Sequence, residues 1–146
     1  MRQFLFATHG DLSKSFIDAV SLIVGDTSIV SYFQMIKNKS GDSAKDELRK
    51  ILKNKKEEDQ FIVLTDMFGG SVCNICTELL MELQNFELLT GVNLPMTLTV
   101  LLAGEDTSTE DLISQGLQAG KDGIVHLNQL LASQKGSAKD DLFSEN

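Results

Sequence analysis

The sequence of 146 residues has no tryptophan, one proline, one tyrosine, two cysteines and two histidines. Basic residues are also scarce, since 13 Lys and Arg stand against 21 Asp and Glu, which gives a formal net charge of −8. A nucleic-acid-binding protein needs clustered Lys and Arg, so this composition argues against a nucleic-acid partner. The apolar fraction of 42% is ordinary for a globular protein. One domain of this length buries a hydrophobic core without disulfides or metals.

Long apolar runs are missing as well. A membrane-spanning helix needs about 18 or more consecutive apolar residues, and no run approaches that length. Near the start of the chain, Leu5 and Phe6 are too few for the apolar core of a signal peptide, and Asp11 follows soon after. We therefore expect a cytoplasmic protein with no direct insertion into a membrane.

The two cysteines, Cys73 and Cys76, form a C-x-x-C pair. The usual zinc ligands are not grouped anywhere along the chain, so we expect no structural metal site and no cofactor. A thioredoxin-like redox pair is an alternative interpretation of this motif. The spacing instead favours a core position for Cys76 on the apolar face of a predicted helix, with Cys73 near the start of that helix.

Short apolar runs alternate along the chain with segments of helical periodicity. The apolar runs predict strands at residues 3–7, 29–33, 61–65 and 87–90. Alternation of strand and helix is typical of an α/β fold, in which right-handed crossovers cover both faces of a parallel sheet. We predict a flavodoxin-like, doubly wound sheet with the strand order 2-1-3-4.

The C-terminal part of the chain contains one further predicted strand and then becomes polar. A last strand is predicted at residues 124–127, and His126 within it is interpreted as a structural histidine. From about Ser133 the sequence turns polar and has little to bury, which predicts a flexible tail over residues 133–146. We therefore expect one domain that spans residues 1–132.

Two polar residues follow neighbouring strands of this predicted sheet. His9 lies just past the first strand and Asp66 just past the third. In the order 2-1-3-4 the sheet reverses its direction of growth between strands 1 and 3, and ligands of open α/β sheets bind at such a switch point. We therefore expect His9 and Asp66 to be neighbours. Gly69, Gly70 and Ser71 open the next helix beside them, where free backbone N–H groups can hold an anion.

These residues are suited to phosphoryl transfer. A carboxylate that accepts the N–H of one imidazole nitrogen fixes the tautomer and leaves the lone pair of the other nitrogen for attack. The same carboxylate stabilises the positive charge that develops on the ring. A phosphoryl group arriving at the free nitrogen of His9 would meet Ser71 and the helix start. No catalytic base is needed, because the attacking nitrogen carries no proton.

The segments "FATHG", "TDMFGGS" and "TGVNLPM" resemble the IIA domain of the mannose-type (mannose/fructose/sorbose) sugar phosphotransferase system. They follow predicted strands 1, 3 and 4 in order. The resemblance implies that His9 is the phosphorylated histidine, on Nε2, and that Asp66 orients Nδ1. The phosphate-binding residues that it implies all lie beside His9, and they are Gly10, Gly69, Gly70 and Ser71.

The same resemblance implies a phosphotransferase, the histidine phosphocarrier of a phosphoenolpyruvate-dependent sugar uptake system. Such a domain accepts phosphate from phospho-HPr and passes it to a IIB component, and through IIB to membrane IIC and IID components. The family domain is a homodimer whose C-terminal strand is exchanged onto the sheet of the other subunit. The resemblance also implies that the chain itself never touches the transported sugar.

Other interpretations stay open at this point. A receiver-type signalling domain would be phosphorylated on Asp66 itself, although such domains have an acidic pair after strand 1. The phosphotransfer subunit of a dihydroxyacetone kinase system also has a histidine after strand 1, and flavin binding at the switch point is a further alternative. In purely structural terms, Asp66 and Ser71 could be helix N-caps, and Asn93 and Pro95 turn and helix-start residues.

Overall fold

The computed structural model describes the backbone of residues 1–144 and the side chains of residues 1–135. Within this part of the chain the strands are β1 (Arg2–His9), β2 (Val30–Met35), β3 (Gln60–Thr65) and β4 (Phe86–Thr90). The helices are α1 (Leu12–Val24), α2 (Gly41–Lys53), α3 (Ser71–Leu83), α4 (Leu94–Leu102), α5 (Thr109–Asp122) and α6 (Leu127–Ser144). None of the described helices is both long and apolar enough to cross a bilayer.

The strands form a parallel sheet in the order β2-β1-β3-β4, which confirms the predicted α/β class and strand order. In the middle of the sheet, Ala7 of β1 pairs with Phe33 on one side and Thr65 on the other. Residues 4–8 are all buried, because helices cover both faces of the strand. This explains why β1 is a nearly continuous apolar run rather than an alternating one.

Each face of the sheet has its own hydrophobic core, because successive side chains of a strand point to opposite faces. Leu5 and Ala7 join the core beneath α2 and α3, which includes Leu48. Phe4 and Phe6 join the opposite core, beneath α1, α4 and α5. Packing on both faces fixes the position of the carboxyl end of β1.

The segment "NLPM" begins α4. The Oδ1 atom of Asn93 accepts the Met96 N–H at 3.0 Å, and its Nδ2 donates to the carbonyl of Gly120 in α5 at 2.9 Å. Pro95 lies in the first turn of the helix. These contacts confirm that Asn93 and Pro95 are helix-start residues, and they join α4 to α5.

The C-terminal segment differs from the prediction. Residues 124–126 lie outside helices and strands and α6 begins at Leu127, so the strand predicted at residues 124–127 is not formed, and His126 is exposed. A strand needs a hydrogen-bonded neighbour, and in the described chain this segment pairs with neither β2 nor β4 at the sheet edges. The backbone of residues 133–144 belongs to α6. The predicted tail, residues 133–146, reaches past the described residues, and its flexibility and the domain boundary at 132 stay predictions.

Candidate active site

His9 is the last residue of β1, and Asp66 directly follows β3. Oδ2 of Asp66 accepts two hydrogen bonds from His9, one from the backbone N–H at 3.0 Å and one from ring Nδ1 at 2.8 Å. Because β1 and β3 are adjacent and parallel, their carboxyl ends meet at the switch point of the sheet. The structure thus places side by side two residues that lie 57 positions apart in the sequence.

The other ring nitrogen of His9 faces the start of α3. Nε2 lies 3.1 Å from Oγ of Ser71, the first residue of that helix. A carboxylate at Nδ1 places the proton on Nδ1, so the lone pair of Nε2 accepts the Ser71 hydroxyl hydrogen. The His9 side chain is 44% exposed, whereas that of Asp66 is 12% exposed. The ring is therefore oriented by a mostly buried carboxylate while remaining accessible itself.

Two glycines shape the turn between Asp66 and α3. Gly69 has a φ of +81°, in the left-handed region that favours glycine. Gly70 is the N-cap of α3, and a Cβ added there would lie 3.2 Å from Cε1 of His9. The missing side chain lets the imidazole lie against the helix start. Because Gly70 is the N-cap, the interpretation of Asp66 and Ser71 as caps is wrong.

The start of α3 also offers donors for an anion. The first N–H groups of an α-helix have no acceptor within the helix and lie at the positive end of its dipole. In α3 these belong to Ser71, Val72 and Cys73, because the first bond of the helix runs from the Asn74 N–H to the Gly70 carbonyl. The motif alone did not single out Val72. The N–H of Gly10 instead donates to the Met35 carbonyl at 2.8 Å, and that of Gly70 donates within its own turn. Their predicted role in phosphate binding stays a prediction.

The charge of Asp66 is stabilised by His9. Burial alone would raise the pKa of Asp66, but hydrogen bonds from the His9 backbone and ring, together with the charge of the ring, lower it below its ordinary value of 3.8. Oδ1 is buried and has no hydrogen-bond partner among the described residues. One oxygen is thus engaged by His9 and the other is buried, which argues against Asp66 as the phosphorylated residue of a receiver-type domain.

Thr8, directly before His9, positions the strand end in a way that the sequence pattern did not indicate. This residue is fully buried. Its Oγ1 accepts the Ser13 N–H, in the first turn of α1, at 2.6 Å. The end of β1 is therefore tied to α1 through Thr8 and to the end of β3 through Asp66. A threonine before the loop is too common a feature to predict this role.

Both cysteines are buried free thiols of α3. Burial, with a contribution from the neighbouring Cys73, raises the pKa of Cys76 to about 12, and Cys76 occupies the predicted core position. Burial opposes ionisation of Cys73 too, but the Gly69 N–H and nearby threonine hydroxyls lower its pKa. Among the side chains that the structure describes, no three His, Cys, Asp or Glu residues are grouped so as to hold a metal ion.

A family model described as the PTS system fructose IIA component matches residues 3–116, most of the chain. The chain belongs to this family. The membership confirms the resemblance carried by the three sequence motifs, and it makes the chain a IIA component of the phosphotransferase system (PTS). His9, Asp66 and Ser71 all lie within the matched residues.

Curated relatives agree with this family. The mannose-specific EIIAB component of Escherichia coli K12 is 21% identical over 124 residues, which are 84% of this chain and 38% of that protein. This chain therefore spans well under half the length of that relative. The fructose-specific EIIA component of Bacillus subtilis is 24% identical over 146 residues, covering 97% of this chain and 100% of that protein.

A solved structure shows the same fold. The EIIA component from Streptococcus agalactiae superposes with a TM-score of 0.79 at 23% identity, covering 88% of this chain and 99% of that chain. At this identity the likeness concerns the fold alone.

Replacing Gly70 tests the close approach of His9 to α3. In Gly70→Ala we expect the added Cβ, 3.2 Å from Cε1, to push the ring away from Ser71 and to shift the ring nitrogen signals of His9 in ¹⁵N NMR spectra. Gly41→Ala is the matched control, since a Cβ there meets nothing within 4 Å. Unchanged His9 signals in Gly70→Ala would contradict the packing argument.

Proposed function

We propose that this chain is the histidine phosphocarrier of a phosphoenolpyruvate-dependent sugar phosphotransferase system. It accepts a phosphoryl group from phospho-HPr on Nε2 of His9 and passes it to a IIB component, and through IIB to the membrane IIC and IID components. The observation that carries the proposal is that the two ring nitrogens of His9 have different surroundings. Nδ1 is held by a mostly buried carboxylate, and Nε2 lies at the start of α3 on an accessible side chain.

The transfer step follows from this tautomer. The lone pair of Nε2 of His9 attacks phosphorus, and the phosphorus–nitrogen bond of the donor breaks, with its electron pair returning to the donor's imidazole. No proton moves to or from Nε2. The ring of the product carries both the Nδ1 proton and the phosphoryl group, so it is positively charged. The Asp66 carboxylate, 2.8 Å from Nδ1, stabilises that charge.

The phosphoryl oxygens are stabilised by the helix start. The Ser71 hydroxyl, 3.1 Å from Nε2, can turn from the lone pair of the nitrogen to donate to a phosphoryl oxygen. The backbone N–H groups at the start of α3 and the helix dipole favour the same negative charge. Because these groups are already in place before the donor arrives, transfer depends mainly on positioning and electrostatics.

The chain also forms a homodimer in this proposal. Apolar side chains are exposed around the start of α6, where the described chain does not cover them: these are Ile124, Val125, Leu127, Leu130 and Leu131, at 78, 49, 61, 42 and 54% exposure. Exposed apolar side chains grouped in one segment are a candidate protein interface. Exchange of residues 124–127 onto the sheet of a second copy would both pair the segment and cover part of the patch.

Phosphorylation of His9 can be tested directly. Incubation with phosphoenolpyruvate, enzyme I and HPr is expected to add one phosphate per chain, and His9→Ala is expected to abolish labelling. His126→Ala is the matched control, because it removes the other histidine of the sequence, which is also exposed. The label should be lost in acid and survive alkali, as phosphohistidine does. Full labelling of His9→Ala, or an alkali-labile acyl phosphate, would overturn the proposal.

Replacing Asp66 tests the role of its carboxylate. Asp66→Asn should fold, because asparagine is nearly isosteric, but its NH₂ group can favour the wrong imidazole tautomer. Loss of the carboxylate that orients a catalytic histidine costs up to about 10⁴-fold in a serine protease, and here we expect phosphorylation to slow by about 10- to 1000-fold. Asp11→Asn is the control, since this exposed carboxylate contacts Gln34 rather than His9. A wild-type rate in folded Asp66→Asn would show that the carboxylate does not assist transfer.

Light scattering tests the dimer. A mass of two chains is expected at micromolar concentration, and Leu131→Asp should shift it toward one chain by placing a charge in the apolar patch. Leu22→Asp is the control, because Leu22 is 88% exposed in α1, far along the chain from α6. A wild-type mass of one chain would rule the dimer out.

A further inference from the structure

A cavity of about 590 Å³ lies at the amino edge of the sheet, and we refer to it as the amino-edge cavity. Its lining comes from the start of β1, the start of β3 and the end of α4, and includes Arg2 and Gln60. His9 is at the other end of β1, roughly 23 Å from Arg2 at the usual rise of a strand. The amino-edge cavity is therefore separate from the candidate active site.

The interior of the amino-edge cavity is apolar. Phe4 and Val100 line it from the core side and are only 2% and 1% exposed. Ile29, Leu101 and Ala103 line it too, and they pack against the same core while remaining partly exposed. Pockets that hold small molecules measure about 300–1,000 Å³ and are mostly apolar, so this cavity has the size and the lining of such a site.

Two carboxylates add negative charge to this apolar lining. Glu58 and Glu105 are both exposed, and neither forms an ion pair with a side chain that the structure describes. Arg2 also lines the cavity, but its guanidinium donates to the carbonyls of Gly104, at 3.2 Å, and Thr107. These bonds hold the guanidinium against the loop after α4. The two carboxylates thus outnumber Arg2, and the cavity favours a ligand of positive charge.

We propose that the amino-edge cavity binds a small organic cation, a primary ammonium joined to an apolar body such as an aromatic ring. The body packs against Phe4 and Val100 and leaves water, which is the hydrophobic part of the attraction. The ammonium donates charge-assisted hydrogen bonds to Glu58 and Glu105. Neither contact involves His9, so this site stands or falls independently of the proposed phosphoryl transfer.

An NMR titration tests the site with phenethylammonium as the probe. We expect saturable shifts of the backbone amide signals of Phe4 and Leu101, with those of His9 unchanged. A dissociation constant of about 1 mM is expected for so small a ligand. The neutral 2-phenylethanol has the same ring and should bind about fivefold more weakly, because its hydroxyl makes no charge-assisted bond. The anion 3-phenylpropionate should bind more weakly still.

The carboxylates are tested one at a time. Glu105→Gln should weaken binding of phenethylammonium about threefold, as for an ion pair at an exposed site, and should leave binding of 2-phenylethanol unchanged. Glu58→Gln should do the same. Glu87→Gln is the matched control, because it removes the same charge from an exposed residue of β4 that does not line the cavity. All three changes are at exposed positions, so the variants should fold.

Three results would overturn the proposal. The first is that phenethylammonium causes no saturable shifts at Phe4 and Leu101. The second is that 2-phenylethanol or 3-phenylpropionate binds as tightly as phenethylammonium, because the carboxylates would then not select a cation. The third is that Glu87→Gln weakens binding as much as Glu105→Gln, because the probe would then respond only to the net negative charge of the chain.

Discussion

A single carboxylate oxygen, Oδ2 of Asp66, determines the geometry of the whole site. It binds both the backbone N–H and the ring Nδ1 of His9, so it holds the end of β1 and the plane of the imidazole together. The backbone bond alone would leave the ring free to turn about its side-chain torsions. With both bonds, Nε2 is aimed at the start of α3, and the site needs little reorganisation before it reacts.

The rest of the fold keeps that oxygen in place. The cores on the two faces of the sheet immobilise β1 and β3. The pairing of Ala7 with Thr65 sets the register of the two strands, and therefore which residues lie side by side at their carboxyl ends. Gly70 then lets α3 begin directly beside the imidazole, where a larger residue would contact the ring. The strand ends therefore position His9 and Asp66, and the start of α3 positions Ser71, at the carboxyl edge where ligands of parallel α/β sheets bind.

The side chains of the site differ in how much of each is exposed to solvent. Asp66 is mostly buried, which strengthens its interaction with the ring, and its hydrogen bonds from His9 more than offset the cost of burying its charge. His9 stays accessible, and Phe68 beside it is exposed although burial would favour an aromatic ring. An exposed phenylalanine in this turn adds nothing to either hydrophobic core of the chain.

Local patterns in the sequence determined the elements and their class. The nearly continuous apolar runs indicated buried parallel strands, and their alternation with helical periodicity indicated a doubly wound sheet. The small number of strands then favoured the flavodoxin-like order β2-β1-β3-β4, which the structure has. That order alone made His9 and Asp66 neighbours, because parallel strands present their carboxyl ends at one edge. Tertiary structure decided how individual atoms are paired. Thr8 accepts the Ser13 N–H in the first turn of α1, Gly70 rather than Asp66 is the N-cap of α3, and His9 supplies the donors that lower the pKa of Asp66. It also decided the C-terminal segment, where the strand predicted at residues 124–127 is not formed, since a strand exists only where another strand supplies its hydrogen bonds.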